Sequence, residues 1–170
     1  MNLWIIGAGG HGKVVAEVAE DCGYNKISFL DDNSLEAVGK ISDFKKFIIE
    51  YESVFVGIGN NKFRGELISK LEACGYRLPT LIHPTAYISR TAHIERGTII
   101  EPKAIVNANS QIGVGCIISV GSIVDHDVVV EECCHINAGA IVKAGARINA
   151  FEKLEAGELK RGYQQAVVKK

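Results

Sequence analysis

Residues 86–151 read AYISRT AHIERG TIIEPK AIVNAN SQIGVG CIISVG SIVDHD VVVEEC CHINAG AIVKAG ARINAF, eleven blocks of six without an insertion. The third place is Ile or Val in every block, from Ile88 to Ile148, and the first is always short or small. A period of six fits neither the turn of a helix nor the alternation of a long strand. It fits a parallel β-solenoid, in which each block supplies one short strand and a corner and the aliphatic residue points down the axis.

Such a coil carries its own limits. A single column of aliphatic side chains does not offset the entropy of ordering the backbone around it. The small residues, coil-to-coil hydrogen bonds and packing against other surfaces must contribute, so an isolated monomer is not expected. The whole chain has 170 residues, 47% hydrophobic and 23% charged, with a formal net charge of -1. That composition suits an ordered globular protein and gives no basic field for nucleic acid. No apolar run is long enough to span a bilayer, and the N-terminus reads as a strand rather than a leader. The cysteines (Cys22, Cys74, Cys116, Cys133 and Cys134) have neither CxxC spacing nor an even framework, which points to reduced thiols and a cytoplasmic setting. Neither the cysteines nor the histidines show zinc-like spacing, so no metal is expected.

Residues 1–85 show no sixes. "NLWII" reads as a strand, "GAGGHGK" as a glycine-rich turn, and the residues after it as a helix with Val14, Val15, Val18 and Ala19 on one face. "KISFLDD" is a second strand ending in Asp31 and Asp32, and "SVFVGIG" a third, between helical stretches at 42–50 and 62–74. Strand-helix alternation implies a small parallel sheet. Gly7, Gly9 and Gly12 satisfy G-x-G-x-x-G between strand and helix, with the acidic pair some twenty residues on. Glycines admit a phosphate to the backbone, and the helix N-terminus favours its charge. A dinucleotide normally uses two mononucleotide halves and this segment holds one, so a single nucleotide carrying a sugar fits better than NAD. The boundary with the solenoid falls near residue 80, where "RLPTLIHPTA" crosses over between Pro79 and Pro84.

The fold class that follows is a small Rossmann-like α/β unit, 1–80, and a parallel β-solenoid, 81–151, with 152–170 as a charged cap or tail. The blocks resemble the hexapeptide repeat of left-handed β-helix acyltransferases, and that resemblance implies that the solenoid is a left-handed parallel β-helix. The combination resembles the sugar acetyltransferases that include the sialic acid O-acetyltransferases and the UDP-4-amino-sugar N-acetyltransferases, on "GAGGHG", "FLDD", "VGIGNN", "LIHPTA", "VDHD" and "CHINAG". The resemblance implies an acceptor sugar nucleotide in the N-terminal unit, acetyl-CoA along the solenoid between subunits, and a homotrimer. By the same resemblance Gly9, Gly10 and His11 contact the nucleotide sugar, Asp31 and Asp32 take its uridine end, and Gly59 completes the pocket. "IGNN" and "FLDD" favour a UDP-amino sugar as acceptor.

Within "VDHD", His126 holds the fifth place of its block, at a corner where a side chain need not enter the core. The resemblance makes it the general base. An imidazole suits acyl transfer from a thioester, because the attacking amine or hydroxyl must lose a proton as it attacks. Asp127 can fix the tautomer and stabilise the imidazolium, with Asp125 the weaker partner. His135, in "CHINAG", matches a histidine that contacts acetyl-CoA in the family. His93 and His83 read as surface and junction residues, and Cys116 and Cys134 as packing groups in the small-residue place.

Two departures stand out. Ser119 occupies a position where the family has asparagine, and the sixes break after Ile148, which implies that part of the acetyl-CoA wall is missing. The alternatives to acetyl-CoA-dependent N-acetylation of a UDP-4-amino sugar are therefore a sialic acid or other sugar O-acetyltransferase and a non-catalytic trimeric sugar-nucleotide-binding or scaffold protein, with a dehydrogenase third.

Overall fold

The computed structural model describes residues 1–46 and 53–163. The N-terminal unit is built on β1 (Asn2–Ile6), α1 (Gly10–Asp21), β2 (Lys26–Leu30), β3 (Val54–Val56) and α2 (Asn61–Ala73). The three strands are parallel in the order β2-β1-β3. Leu3 to Ile6 and Val54 to Val56 are buried because helices cover both faces of this sheet. On α1 the buried face is Val15, Val18 and Ala19. Val14, expected with them, is 37% exposed, since the helical turn rotates it off that stripe. Asn60 caps α2 by accepting the Phe63 N–H at 3.0 Å. The helix expected over 42–50 is a 3-10 segment, Ile41–Lys46, as far as it is described, and residues 47–50 lie outside the described residues. No helix among the described residues is long and apolar enough to cross a membrane.

From Leu81 the chain forms two-residue strands stacked in three parallel ladders of five, five and four strands. The first ladder runs through Leu81, Ile99, Ile117, His135 and Lys153, the second through Tyr87, Ile105, Ile123, Ile141 and Leu159, and the third through His93, Gln111, Val129 and Arg147. Third-place residues fill the axis: Ile100, Val106, Ile112, Ile118, Val124, Val130, Ile136, Val142 and Ile148 share one core. First-place polar groups stitch coil to coil. Ser110 Oγ donates to the Asp125 carbonyl at 2.6 Å and accepts the Val128 N–H at 3.1 Å. From Gly97 to Gly157 the sixth place turns the corners in left-handed backbone geometry, which favours glycine, yet Lys103, Asn109, Asp127, Cys133 and Phe151 stand there with positive φ.

The solenoid does not stop at 151. Lys153–Leu154 and Leu159–Lys160 continue the first and second ladders, so the expected cap at 152–170 is corrected: its described part is coil through Lys160. Glu152 and Glu158 at the first place, and Leu154 and Lys160 at the third, hide the register from a pattern of small residues and Ile or Val. The absence of further coils expected from the broken register is thereby reduced.

The N-terminal unit packs on one side of the prism. Second-place residues of the first ladder, Leu81, Ile99 and Ile117, point outward into a shared core with Leu3, Ile5, Val15, Val18 and Phe55. Leu67, Ile68 and Leu71 of α2 reach Cys133 and Val114 at the neighbouring corner. Arg64, 1% exposed, pins that junction: Nε donates to the Gly115 carbonyl at 2.7 Å, Nη1 to Ile58 at 2.9 Å and Nη2 to Cys133 at 2.9 Å. Its planar fork satisfies carbonyls from both units that would otherwise be buried unpaired.

Candidate functional site

The "SIVDHD" block turns the corner between the second and third ladders, and its last residue takes the left-handed conformation at φ 56°. That geometry swings the Asp127 carboxylate back onto its neighbour, and His126 Nδ1 lies 2.7 Å from Asp127 Oδ2. The Asp125 carboxylate accepts the His126 N–H at 2.8 Å instead of facing the ring. Asn109 Nδ2 donates to Asp127 Oδ1 at 3.1 Å from the adjacent coil, and Tyr163 Oη donates to Oδ2 at 3.3 Å. The hydrogen bond to Asp127 raises the His126 pKa above its usual value, with the Asp125 charge adding to it. His126, Asn109 and Tyr163 hold the Asp127 carboxyl below the usual carboxylate range. With Nδ1 on Asp127, Nε2 is the nitrogen left to accept a proton, and the half-exposed ring can present it to a ligand.

A second group of polar residues lies where α1 meets the first ladder. Gly12 sits so close to Gly7 that a Cβ there would stand 2.0 Å from the Gly7 carbonyl oxygen, which is why the turn after β1 closes tightly. Gly9, Gly10 and Gly59 face open space, with no atom within 4 Å of an added Cβ. Gly9 and Gly10 form an uncovered rim at the N-terminus of α1, and Gly59 precedes the N-cap of α2. Asp31 braces this rim from β2: its carboxylate accepts N–H groups from Ala8 at 2.8 Å, Asn33 at 2.8 Å and Ser34 at 3.0 Å. Those bonds, Ala8 first, hold its pKa low. Asp32 accepts the Ile41 N–H at 3.0 Å.

His11 and His135 meet beneath the rim with ring centroids 6.4 Å apart. Burial brings both down to about 4; the His135 and Arg64 charges add to it at His11, and those of Arg64 and Lys153 at His135, so both are neutral imidazoles at neutral pH. Ser119 Oγ lies 3.0 Å from His135 Nε2. Glu101, 6% exposed, lies 3.8 Å from His11 Nδ1 and accepts the Val120 N–H at 2.8 Å; burial raises its pKa. His11 Nε2 and His135 Nδ1 are buried without a hydrogen-bond partner.

His11 and His135 thus come together, with Gly9 and Gly10 beside them at the start of α1, whereas His126 stands on a different side of the prism. The N-terminal unit covers the first ladder, and His126 projects from the corner between the other two. His93 pairs with Glu95 at 3.0 Å on the surface, and His83 with Asp21 at 2.9 Å at the junction. Arg64, Glu101 and Tyr163 carry no sequence signal as site residues. Asn109 does, since it lies inside the run of unbroken sixes and stands one full coil, eighteen residues, before Asp127.

Comparison with known proteins bears on this arrangement. Residues 2–71 match the PglD N-terminal domain family. UDP-N-acetylbacillosamine N-acetyltransferase of Bacillus subtilis (strain 168) is 28% identical over 107 residues, 56% of this chain and 49% of that protein. The chain therefore spans about half the length of this curated relative. Among solved structures, the acetyltransferase domain of PglB from Neisseria gonorrhoeae FA1090, in complex with acetyl coenzyme A, aligns with a TM-score of 0.89 at 36% identity, covering 95% of this chain and 82% of that one. GDP-perosamine N-acetyl transferase from Caulobacter crescentus, solved with CoA and GDP-perosamine in a variant lacking one histidine, aligns with a TM-score of 0.85 at 29% identity, covering 90% and 76%.

Proposed function

This chain belongs to the sugar acetyltransferases that join a PglD-type N-terminal domain to a hexapeptide-repeat β-helix, and from that premise we propose that it transfers the acetyl group of acetyl-CoA to the amine of a UDP-4-amino sugar. The observation that carries the reading is the His126–Asp127 pair at 2.7 Å on an accessible corner. The likeness to structures holding acetyl coenzyme A, or CoA with a nucleotide-activated amino sugar, supports the two substrate classes.

In this reading the open glycines at 9, 10 and 59 receive the nucleotide sugar at the α1 N-terminus, whose dipole favours the diphosphate. Asp31 shapes that rim and Asp32 flanks it on the uridine side. Where the acceptor amine attacks the thioester carbonyl, His126 Nε2 takes the proton that the nitrogen sheds. That attack forms the C–N bond and a tetrahedral centre. As the centre collapses the carbonyl is restored, the C–S bond breaks, and coenzyme A leaves as the thiolate, later protonated. Asp127 stabilises the imidazolium through Nδ1–H. His135, neutral and with one nitrogen unpartnered, is suited to a polar contact with the coenzyme.

His126 and the glycine rim occupy different sides of one chain, so a complete site needs the base of one copy beside the acceptor pocket of another. The surface supports such an assembly. Second-place residues of the second ladder, Tyr87, Ile105, Ile123, Ile141 and Leu159, make an outward apolar stripe along the prism, with Tyr87 58%, Ile141 39% and Leu159 55% exposed. His126 lies at the edge of that face. We assign the stripe to the homotrimer interface, since a continuous apolar face on a solenoid calls for a partner.

The test is release of coenzyme A thiol from acetyl-CoA with UDP-4-amino sugars, a GDP-linked amino sugar and free sialic acid as acceptors. Turnover with the UDP-amino sugars supports the reading. Turnover with sialic acid alone would replace it by O-acetylation, and none with any acceptor would leave a binding protein.

A further inference from the structure

The pairing of His126 with Asp127 leaves unexplained the residue that meets Asp127 from the last described coil. We infer that Tyr163 is a positioning residue of this pair, its hydroxyl setting the basicity of His126 through the Asp127 carboxylate. The inference rests on the reading of His126 as the base.

Its geometry is specific. Asp127 Oδ2 is shared by two groups, His126 Nδ1 at 2.7 Å and Tyr163 Oη at 3.3 Å, while Oδ1 is held by Asn109. The tyrosine is seated by more than its hydroxyl. Its N–H donates to the Ala144 carbonyl at 3.1 Å, and its ring lies so close over Gly145 that an added Cβ would stand 2.1 Å from a ring carbon. Gly162, the residue before it, approaches the Ala144 carbonyl closely enough that a Cβ there would fall 1.9 Å from the oxygen. Two glycines are therefore needed to lay this ring at this corner. The Gly145 N–H in turn donates to the His126 carbonyl at 3.1 Å, so the seat of the ring is tied to the backbone of the base.

Sharing one oxygen has a chemical consequence. A hydrogen bond from Tyr163 draws charge away from the atom that stabilises the imidazolium. It tempers the rise in basicity that Asp127 imposes and keeps more of His126 unprotonated near neutral pH. A base must be unprotonated to act, so the tyrosine trades a little base strength for a larger active fraction.

The experiment is an NMR titration of the His126 imidazole in the full chain, for wild type, Tyr163→Phe and Gly145→Ala, alongside the pH profile of acetyl transfer. Loss of the hydroxyl should raise the His126 pKa by about 0.3–0.5, the range expected for one exposed hydrogen bond, and move the acidic limb of the rate up with it. KM for both substrates should stay unchanged. Gly145→Ala, which unseats the ring, should reproduce the rise with the tyrosine still present. A His126 pKa that is unmoved or lower in Tyr163→Phe overturns the inference. Activity lost in His126→Ala with the pKa unmoved in Tyr163→Phe overturns the inference alone. Full activity in His126→Ala removes the base and the role of Tyr163 together.

Discussion

Asn109 and Asp127 stand eighteen residues apart at the sixth place of successive coils, both in left-handed backbone geometry at φ 60° and 56°, and the amide of the first donates to the carboxylate of the second at 3.1 Å. Glycine is the residue this place favours, so a non-glycine pair in register here accepts a conformational cost of about 1 kcal/mol or more per residue. Lys103, Cys133 and Phe151 take the same geometry at this place, and what sets Asn109 and Asp127 apart is the hydrogen bond that joins them beside His126.

The first prediction concerns Asp127→Asn. Asp127 is the main cause of the raised His126 pKa, so its loss lowers that pKa, and the acidic limb of kcat/KM should move to lower pH. The plateau rate should fall about tenfold or more, because the imidazolium loses its partner. A pH-rate profile measures both, and a limb that stays in place would remove Asp127 from the pair.

The glycine rim makes a separable prediction. Gly12→Ala drives a Cβ into the Gly7 carbonyl and should destabilise the fold by about 3 kcal/mol, read by chemical denaturation. Gly10→Ala meets open space at the start of α1 and should keep stability within about 1 kcal/mol of wild type while weakening UDP-sugar binding in calorimetry. Unchanged binding in Gly10→Ala would move the nucleotide elsewhere.

Acid should loosen the junction between the two units. His11 and His135 are held at about 4 in the fold, below their usual 6.5, so the unfolded chain binds more protons between those values. The stability this gives is full above pH 6.5 and is lost as pH falls toward 4. Glu101, raised by burial, acts in the opposite sense over its own range, and His135 is partly screened by solvent. A net loss of about 2 kcal/mol between pH 7 and pH 5 is expected. His11→Gln should flatten this slope in thermal melts; an equal slope in the variant would place the acid sensitivity elsewhere.

Much of this molecule was legible in its sequence. The sixes gave the solenoid because two places in the repeat face the axis and admit few residue types. The glycines, read with the strand and helix around them, gave the N-terminal unit. The last two strands escaped because Glu152 and Glu158 at the first place and Lys160 at the third break that restriction at the end of the prism, where burial relaxes. Arg64 and Glu101 were invisible for another reason. Their burial comes from packing one unit on the other, and no periodicity within either unit encodes that contact.

Assembly is open to a direct change. Ile141→Asp places a charge in the middle of the apolar stripe on the second ladder. It should convert the proposed homotrimer into monomers by light scattering, with loss of transfer. Persistence of the trimer would take the interface off this face.

The measurement closest to the central claim is the steady-state rate of acetyl transfer to a UDP-4-amino sugar by wild type and His126→Ala, with acetyl-CoA binding measured in both. General base catalysis predicts a fall in kcat of about a hundredfold or more at unchanged acetyl-CoA affinity. A variant that turns over within a few-fold of wild type would contradict the assignment of the base to this corner of the coil.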